Sequence, residues 1–210
     1  MGTSESAPGA ASEEWRLLAE AGAGSTESFA PLVERHQARI VGLCERLLGD
    51  REEARDAAQE VFLKAFRHAG SARPMGQLST WLYRIAVNHC FNRLRRRKVL
   101  RFLSFSGLGE ASREARAEGF DPPDGAADPE AALASRERWR RTRAAIDRLP
   151  AGQRAVLVLA KFEGLAYREI AAALGLTEGA VESRLVRAMR RLHAAQEGSA
   201  MRVPLEEERR

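Results

Sequence analysis

The apolar residues of this 210-residue chain recur at intervals of three and four positions, and no stretch of any length alternates apolar with polar residues. The first spacing lines side chains along one face of an α-helix, whereas alternation is typical of a half-buried strand. One such stripe runs from Phe29 to Leu48 and ends at Gly49-Asp50, where a glycine and an aspartate are suited to end one helix and cap the next. The chain is therefore predicted to be all-α.

Two helical units are predicted, separated by a segment of different composition. Residues 107–130 hold four glycines and three prolines among few large apolar residues, which is typical of a flexible linker. In the first unit, helices are predicted over residues 51–68 and from Ser79 or Thr80, either of which can cap a helix, into a basic segment. The predicted architecture is two small helical domains joined by a flexible linker, the second a helix-turn-helix. Its parts are a disordered arm (1–24), a helical domain (25–101), the linker (102–131), a helix-turn-helix domain (132–195) and a tail (196–210).

Composition excludes several classes of protein. The longest uninterrupted apolar run, Ala155–Ala160, has six residues, far short of the roughly 20 that a membrane-spanning helix needs. No secretory signal opens the chain, so we expect a cytoplasmic protein. Cys44 and Cys90, the two cysteines, cannot form a disulfide framework and are expected to be free thiols.

Charge is divided unevenly along the chain. Residues 1–60 carry six basic and twelve acidic side chains, whereas residues 61–109 carry ten basic side chains and no acidic one. A long block of one sign concentrates electrostatic potential and favours a polyanionic partner.

The second unit contains the pattern of a helix-turn-helix. Helices are predicted over Tyr167–Leu174 and Glu178–Ala195, with Gly175 suited to a left-handed helix end and Thr177 to a side-chain cap. Such a turn lets the second helix project into a major groove, where arginines can bind guanine edges or phosphates. An apolar stripe is predicted to face inward, opposite a polar face: the stripe is Val181, Leu185, Ala188 and Leu192, and the polar face is Glu182, Ser183, Val186, Arg187 and Arg190, flanked by Arg184 and Arg191.

Two helices of the first unit carry further surfaces. On the helix that follows Ser79, outward aromatic, amide and arginine side chains suit stacking on unpaired bases and contact with the nucleic-acid backbone. On the preceding helix an acidic face with an exposed leucine suits a protein partner. The outward residues are Tyr83, Arg84, Val87, Asn88, Phe91, Asn92 and Arg95 on the basic helix, and Asp56, Gln59, Glu60, Leu63, Lys64 and Arg67 on the acidic one.

Three segments resemble a known family. DREEARDAAQEVFLKAF (50–66) and STWLYRIAVNHCFNRLRRRK (79–98) are similar to the first conserved domain of bacterial sigma factors. The segment LPAGQRAVLVLAKFEGLAYREIAAALGLTEGAVESRLVRAMRRL (149–192) is similar to their promoter-distal helix-turn-helix domain. Two such domains with only a short linker between them resemble the extracytoplasmic-function subfamily.

The resemblance implies a promoter-specificity subunit that is not an enzyme, needs no cofactor or metal, and acts as a monomer outside the holoenzyme. It implies core RNA polymerase and promoter DNA as partners, together with an anti-sigma factor that holds the protein inactive. It places polymerase binding at Asp56, Gln59, Glu60, Phe62, Leu63 and Lys64. It places contacts to the −10 element, which the loop Gly70–Ser79 helps to open, at Trp81, Tyr83, Arg84, Asn88, Asn92, Arg93, Arg95, Arg96 and Arg97. It places contacts to the −35 element at Glu182, Ser183, Arg184, Val186, Arg187 and Arg191.

The chain departs from the family pattern at some positions. Glu182 stands where a basic residue would strengthen phosphate contact, so it either reads a cytosine or repels. Gly152 weakens a helix start. The loop segment RPMGQ (73–77) identifies no base-capturing residue, so the promoter sequence does not follow from it.

Other functions are less well supported by the residues. A stand-alone helix-turn-helix regulator would need a dimerising or ligand-binding first domain, and no apolar ligand pocket is visible in the pattern. A nucleic-acid enzyme would need a catalytic motif, and none is found. A zinc site formed by His36, Cys44, His89 and Cys90 lacks the spacing of a helical ligand pair, so we expect core cysteines and a surface histidine instead.

Overall fold

The computed structural model describes residues 8–74, 76–104 and 140–200, and throughout these residues it contains helices and turns but no strand. None of the helices in this part of the chain has the length and apolar character needed to cross a bilayer. Two short 3₁₀ turns, Glu27–Phe29 and Ala69–Ser71, connect the helices of the first unit. The helices are α1 (Pro8–Gly22), α2 (Ala30–Leu48), α3 (Arg51–His68), α4 (Leu78–Ser104), α5 (helical at 140–147), α6 (Ala151–Lys161), α7 (Tyr167–Leu174) and α8 (Glu178–Ala200).

Local sequence signals set the helix ends where they were expected. Gly49 closes α2 in the left-handed conformation with φ 82°, and its N–H donates to the Glu45 carbonyl at 2.9 Å. The Asp50 side chain then caps α3 by accepting from the Glu53 N–H at 2.8 Å. By contrast, Ser79 and Thr80 lie inside α4, which begins at Leu78, so the predicted cap position is wrong.

The first unit is built on α2, α3 and α4. Leucines of α2 such as Leu43 and Leu47 are fully buried against small residues of α3, including Ala54 and Ala57. Small side chains let helices approach closely, which explains why an alanine-rich helix can occupy the centre of this unit.

α1 corrects the prediction of a disordered arm over residues 1–24, because residues 8–22 form a helix. Trp15, Leu18 and Ala21 are buried on one face of it. The Glu14 carboxylate is also buried, and it accepts from Arg35 Nη1 at 3.0 Å and lies 3.2 Å from His36 Nε2. The apolar spacing of these three residues is helical, and α1 packs mainly against the two 3₁₀ turns and α3, with smaller contacts to α2 and α4.

The second unit contains the helix-turn-helix as predicted. Gly175 ends α7 with φ 65°, in the left-handed region, and the Thr177 hydroxyl accepts from the Ala180 N–H at 3.2 Å. Val181, Leu185 and Ala188 are buried as expected, and Leu192 is half-buried. α8 continues to Ala200, beyond the predicted end at Ala195.

The two units are packed together, and their apolar side chains form one continuous buried cluster. The Arg154 guanidinium of α6 is buried and donates to the Leu47 carbonyl of α2 at 2.7 Å. Arg143 of α5 donates to the Glu45 carbonyl at 2.8 Å. Arg154 thus satisfies a carbonyl in the last turn of α2, where helix carbonyls have no helical partner, and Arg143 adds a second donor to the Glu45 carbonyl, which also accepts from the Gly49 N–H. The predicted linker lies outside the described residues, except that 102–104 belong to α4.

Candidate functional site: one reading helix, one gripping helix and an acidic face

The outer face of α8 is exposed as the sequence predicts. Glu182, Ser183, Arg187 and Arg191 are exposed, and Val186 retains 43% of its surface accessible. Arg187 Nε donates to the Ser183 carbonyl at 3.0 Å, one turn back along the helix. Arg191 reaches Gln153 Oε1 at 3.2 Å. Most of this surface is therefore free to meet a groove without any rearrangement of the second unit.

Arg184 is the exception on this helix, because it is half-buried. Its guanidinium lies against the start of α6, where a Cβ on Gly152 would approach Arg184 Nη1 to 3.4 Å. Gly152, which the sequence suggested would weaken the start of α6, thus lies beside an arginine of α8.

On α4 the outward prediction is correct for the amides and for Arg84 and Arg95, and wrong for three apolar or aromatic side chains. Arg84, Asn88, Asn92, Arg95 and Arg96 are exposed. Phe91 is half-buried and packs against the core. Tyr83 and Val87 are buried, at 3% and 0% exposure. The physical reason is that α4 packs against α7 of the second unit in addition to α2 and α3.

Glu163 explains the burial of Tyr83. The Tyr83 hydroxyl donates to Glu163 Oε2 at 2.9 Å, and Arg46 of α2 pairs with Glu163 Oε1 at 3.3 Å. Burial and the neighbouring Glu163 carboxylate raise the pKa of Tyr83 well above its ordinary value. Sequence reasoning missed Glu163, because an acidic residue in the five-residue connection between α6 and α7 carries no local signal of such a role.

Trp81 lies at the start of α4 and is half-buried. Its ring packs against that of Trp15 of α1, with centroids 6.0 Å apart and planes tilted by 56°. The apolar face of α1 therefore borders the part of α4 that the family resemblance assigns to the −10 element.

Two arginines at the far end of α4 are engaged by an acid of α3. Glu53 pairs with Arg93 Nε at 3.3 Å and with Arg97 Nη2 at 2.7 Å. Both guanidinium groups are held against α3, whereas Arg95 and Arg96 are exposed.

The acidic face of α3 is exposed as predicted at Asp56, Gln59 and Glu60, and Leu63 stands among them at 48% exposure. Lys64 is half-buried, and its Nζ lies 2.7 Å from His89 Nδ1 of α4.

Phe62 is 8% exposed and belongs to the core of the first unit. It therefore lies beneath the acidic face and is not part of the exposed surface that the resemblance assigns to polymerase.

The cysteines and histidines are placed mainly by packing. Cys44 and Cys90 are buried thiols, as expected, and a hydrogen bond with Cys44 together with burial raises the pKa of Cys90. His36 is buried beside Glu14, which corrects the expectation of a surface histidine, and burial lowers its pKa. Among the described residues, no three histidine, cysteine or acidic side chains are grouped as a metal site would require.

Comparisons with known proteins agree with this layout. The family Sigma-70 region 2 matches residues 32–99, and the family Sigma-70, region 4 matches residues 139–192. The RNA polymerase sigma-H factor of Pseudomonas aeruginosa is 34% identical over 177 residues, which is 84% of this chain and 90% of that protein. The ECF RNA polymerase sigma factor SigM of Mycobacterium tuberculosis H37Rv is 37% identical over 176 residues, which is 84% of this chain and 81% of that protein.

A solved structure has the same fold. CnrH in complex with the cytosolic domain of CnrY matches with a TM-score of 0.61 at 25% identity, over 89% of this chain and 98% of that chain. The two sigma regions occur in order along one chain, and relatives of known family match over most of their length. The chain belongs to the extracytoplasmic-function RNA polymerase sigma factors, which are promoter-specificity subunits rather than enzymes.

Proposed function

We propose that this sigma factor divides promoter recognition among three surfaces: the outer face of α8, the start of α4 with its preceding loop, and the acidic face of α3. The observation that carries this division is the exposed polar face of α8, which follows a turn closed by Gly175 and capped by Thr177. A helix presented in this way fits the major groove.

On this proposal α8 reads the −35 element. Exposed Arg187 and Arg191 can donate to guanine edges or phosphates, and Ser183 can contact either. Val186 is the apolar residue at the centre of this face, where it can contact a thymine methyl group. Arg184 supports the helix through its position beside Gly152 and contributes at the edge of the surface.

The start and middle of α4 act on the −10 element. Asn88, Asn92 and the exposed arginines Arg95 and Arg96 are available to a separated strand. Tyr83 can reach that strand only when its hydroxyl leaves Glu163, so its assignment requires the two units to move apart on the promoter. Parting them would also separate Arg154 from Leu47.

The acidic face of α3 binds core polymerase. Asp56, Gln59 and Glu60 surround Leu63, so the surface combines negative charge with one exposed apolar contact. Aliphatic groups surrounded by polar residues are typical of protein interfaces. The same charges disfavour DNA at this side of the unit.

An anti-sigma factor completes the proposed set of partners, and we propose the cytoplasm as the compartment in which the protein acts. CnrH, which shares the fold over nearly its whole length, was solved with the cytosolic domain of CnrY. Because the two units pack closely together, a partner of this kind can bind both of them at once.

Transcription with purified core polymerase tests the proposal. Transcript starts are first mapped after overexpression to obtain a promoter, and run-off synthesis is then measured for the wild type and for Arg187→Ala. We expect a polymerase-dependent transcript that Arg187→Ala reduces about fivefold or more, since a base contact is worth roughly 1–3 kcal/mol.

Arg148→Ala is the matched control, because Arg148 is also exposed but does not belong to α8. It should transcribe like the wild type. Tight promoter binding without polymerase, combined with no polymerase-dependent transcript, would contradict the proposal.

A further inference from the structure

α1 contacts both ends of the loop that precedes α4. At the start of the loop, a Cβ added to Gly22 would lie 2.5 Å from the Gly70 nitrogen and 2.7 Å from its Cα, so the two backbones touch. At the far end, Trp15 Nε1 donates to the Gly76 carbonyl at 2.8 Å. One helix therefore fixes the distance between the two ends of this loop.

α1 is itself held firmly enough to act as a support. Leu18 is 1% exposed and Ala21 is 2% exposed, so the inner face of the helix is buried in the first unit. Glu14 adds polar contacts to Arg35 and His36 of α2. The helix is thus anchored to α2 on one side and meets the loop on the other.

The loop has features that make such support useful. Gly70, Arg73, Pro74 and Gly76 are exposed, and Gly76 adopts a left-handed φ of 74°. The start of the loop is also held by the Ala72 N–H, which donates to the Ala69 carbonyl at 3.2 Å. An exposed segment with two glycines samples many conformations unless contacts select one.

We propose that α1 is a positioning element for promoter opening, with Trp15 and Gly22 holding the two ends of the loop, at Gly76 and Gly70, in the arrangement that receives the −10 strand. This inference rests on the proposed role of the loop and α4 at the −10 element. Trp15 touches the loop and Trp81 rather than DNA, so it acts through them. A preorganised loop loses less conformational entropy when it captures a strand.

Trp15→Phe isolates the hydrogen bond, because phenylalanine keeps an aromatic ring at the position and removes the indole N–H. Promoter opening is measured in the holoenzyme by the fluorescence of 2-aminopurine in the −10 element. We expect opening of a duplex promoter to slow about fivefold, the factor that corresponds to one hydrogen bond of typical net strength. With saturating holoenzyme, transcription from a template already unpaired at −10 should stay within about twofold of the wild type, because strand capture then no longer competes with base pairing.

Gly22→Ala is the second variant and perturbs the other end of the loop. Its methyl group must displace the Gly70 backbone, while alanine favours the helix itself. It should show the same selective defect on duplex promoter, and because the clash with the Gly70 backbone is expected to lower thermal stability, the ratio of duplex to unpaired template activity is the readout. Arg16→Ala is the matched control, since Arg16 is exposed on α1 and pairs with Glu20 of the same helix.

The outcomes separate this inference from the proposed function. If the wild type itself opens no promoter, the proposed function fails. If the wild type opens promoters and both variants open them at the same rate, the positioning role is wrong. Equal losses on duplex and unpaired templates, in step with a lowered thermal midpoint, would show that α1 only stabilises the fold and would overturn the inference.

Discussion

α4 and α8 look alike in sequence and differ in what covers them. Each is arginine-rich and carries one apolar stripe, and for each the sequence predicts an outward polar face. On α8 that face is exposed, including Val186 at 43%. On α4 the corresponding face is interrupted by Tyr83 and Val87, which are covered where the second unit packs on the first.

The difference teaches what helical periodicity can and cannot identify. Periodicity finds the side of a helix that faces its own domain, because that side is continuous and apolar. It does not find a second contact made by residues far along the chain. A tyrosine or a valine outside the apolar stripe is compatible with either an exposed face or a covered one. The contact of Tyr83 with Glu163 spans 80 positions, so no local pattern contains it.

The largest expected loss of unfolding free energy is that of Glu163→Ala. It removes the carboxylate that joins Arg46 and Tyr83, and breaking a buried ion pair costs about 3 kcal/mol. The side chain of Glu163 is 6% exposed. Glu182→Ala, on the exposed face of α8, is the matched control and should change the unfolding free energy by less than about 0.5 kcal/mol. Urea unfolding of the two variants measures both values.

Equal effects of the two glutamate substitutions would show that the packing between the units contributes little in solution. A loss confined to Glu163→Ala would confirm that the face of α4 near Tyr83 is held closed by the second unit.

Two valines test the same comparison of α4 with α8, with a smaller expected loss of stability. Val87 is fully buried on α4, and Val186 is exposed on α8. Val87→Ala should lower the unfolding free energy by about 2 kcal/mol through lost burial and a cavity. Val186→Ala should leave stability within about 0.5 kcal/mol of the wild type and weaken −35 recognition instead. Thermal unfolding together with run-off transcription distinguishes the two kinds of loss, and a stable Val87→Ala variant would contradict the packing described.

The smallest expected effect is a change in how the unfolding free energy depends on pH. Burial and the nearby Lys64 lower the pKa of His89 on α4 from 6.5, and its Nδ1 can accept from Lys64 only when unprotonated. The unfolded chain therefore binds a proton more readily, so this contribution to stability is present above about pH 6.5 and is lost as the pH falls. His89→Gln should flatten the decline in unfolding free energy between pH 7.5 and 5.5. A steeper decline in the variant would reverse the sign of this prediction.

Local signals were enough for the end of α2, the start of α3 and the turn between α7 and α8, but not for the start of α4 or for α1. Gly49-Asp50 and the pair Gly175 and Thr177 act within a few residues, so the sequence identifies them directly. Trp15 could also have been recognised, because with Leu18 and Ala21 it forms a helical stripe. The arginines held by Glu53 could not, since the pairing depends on how α3 and α4 are placed side by side.

Site-specific photocrosslinking in the holoenzyme bound to its promoter tests the division of labour most directly. A photoreactive benzoylphenylalanine is placed at Val186 on α8 in one protein and at Asn88 on α4 in another, and the labelled DNA positions are mapped. The account predicts that the probe on α8 labels the −35 element and that the probe on α4 labels the non-template strand of the −10 element. Labelling of the same element by both probes, or no DNA labelling in complexes that transcribe, would contradict it.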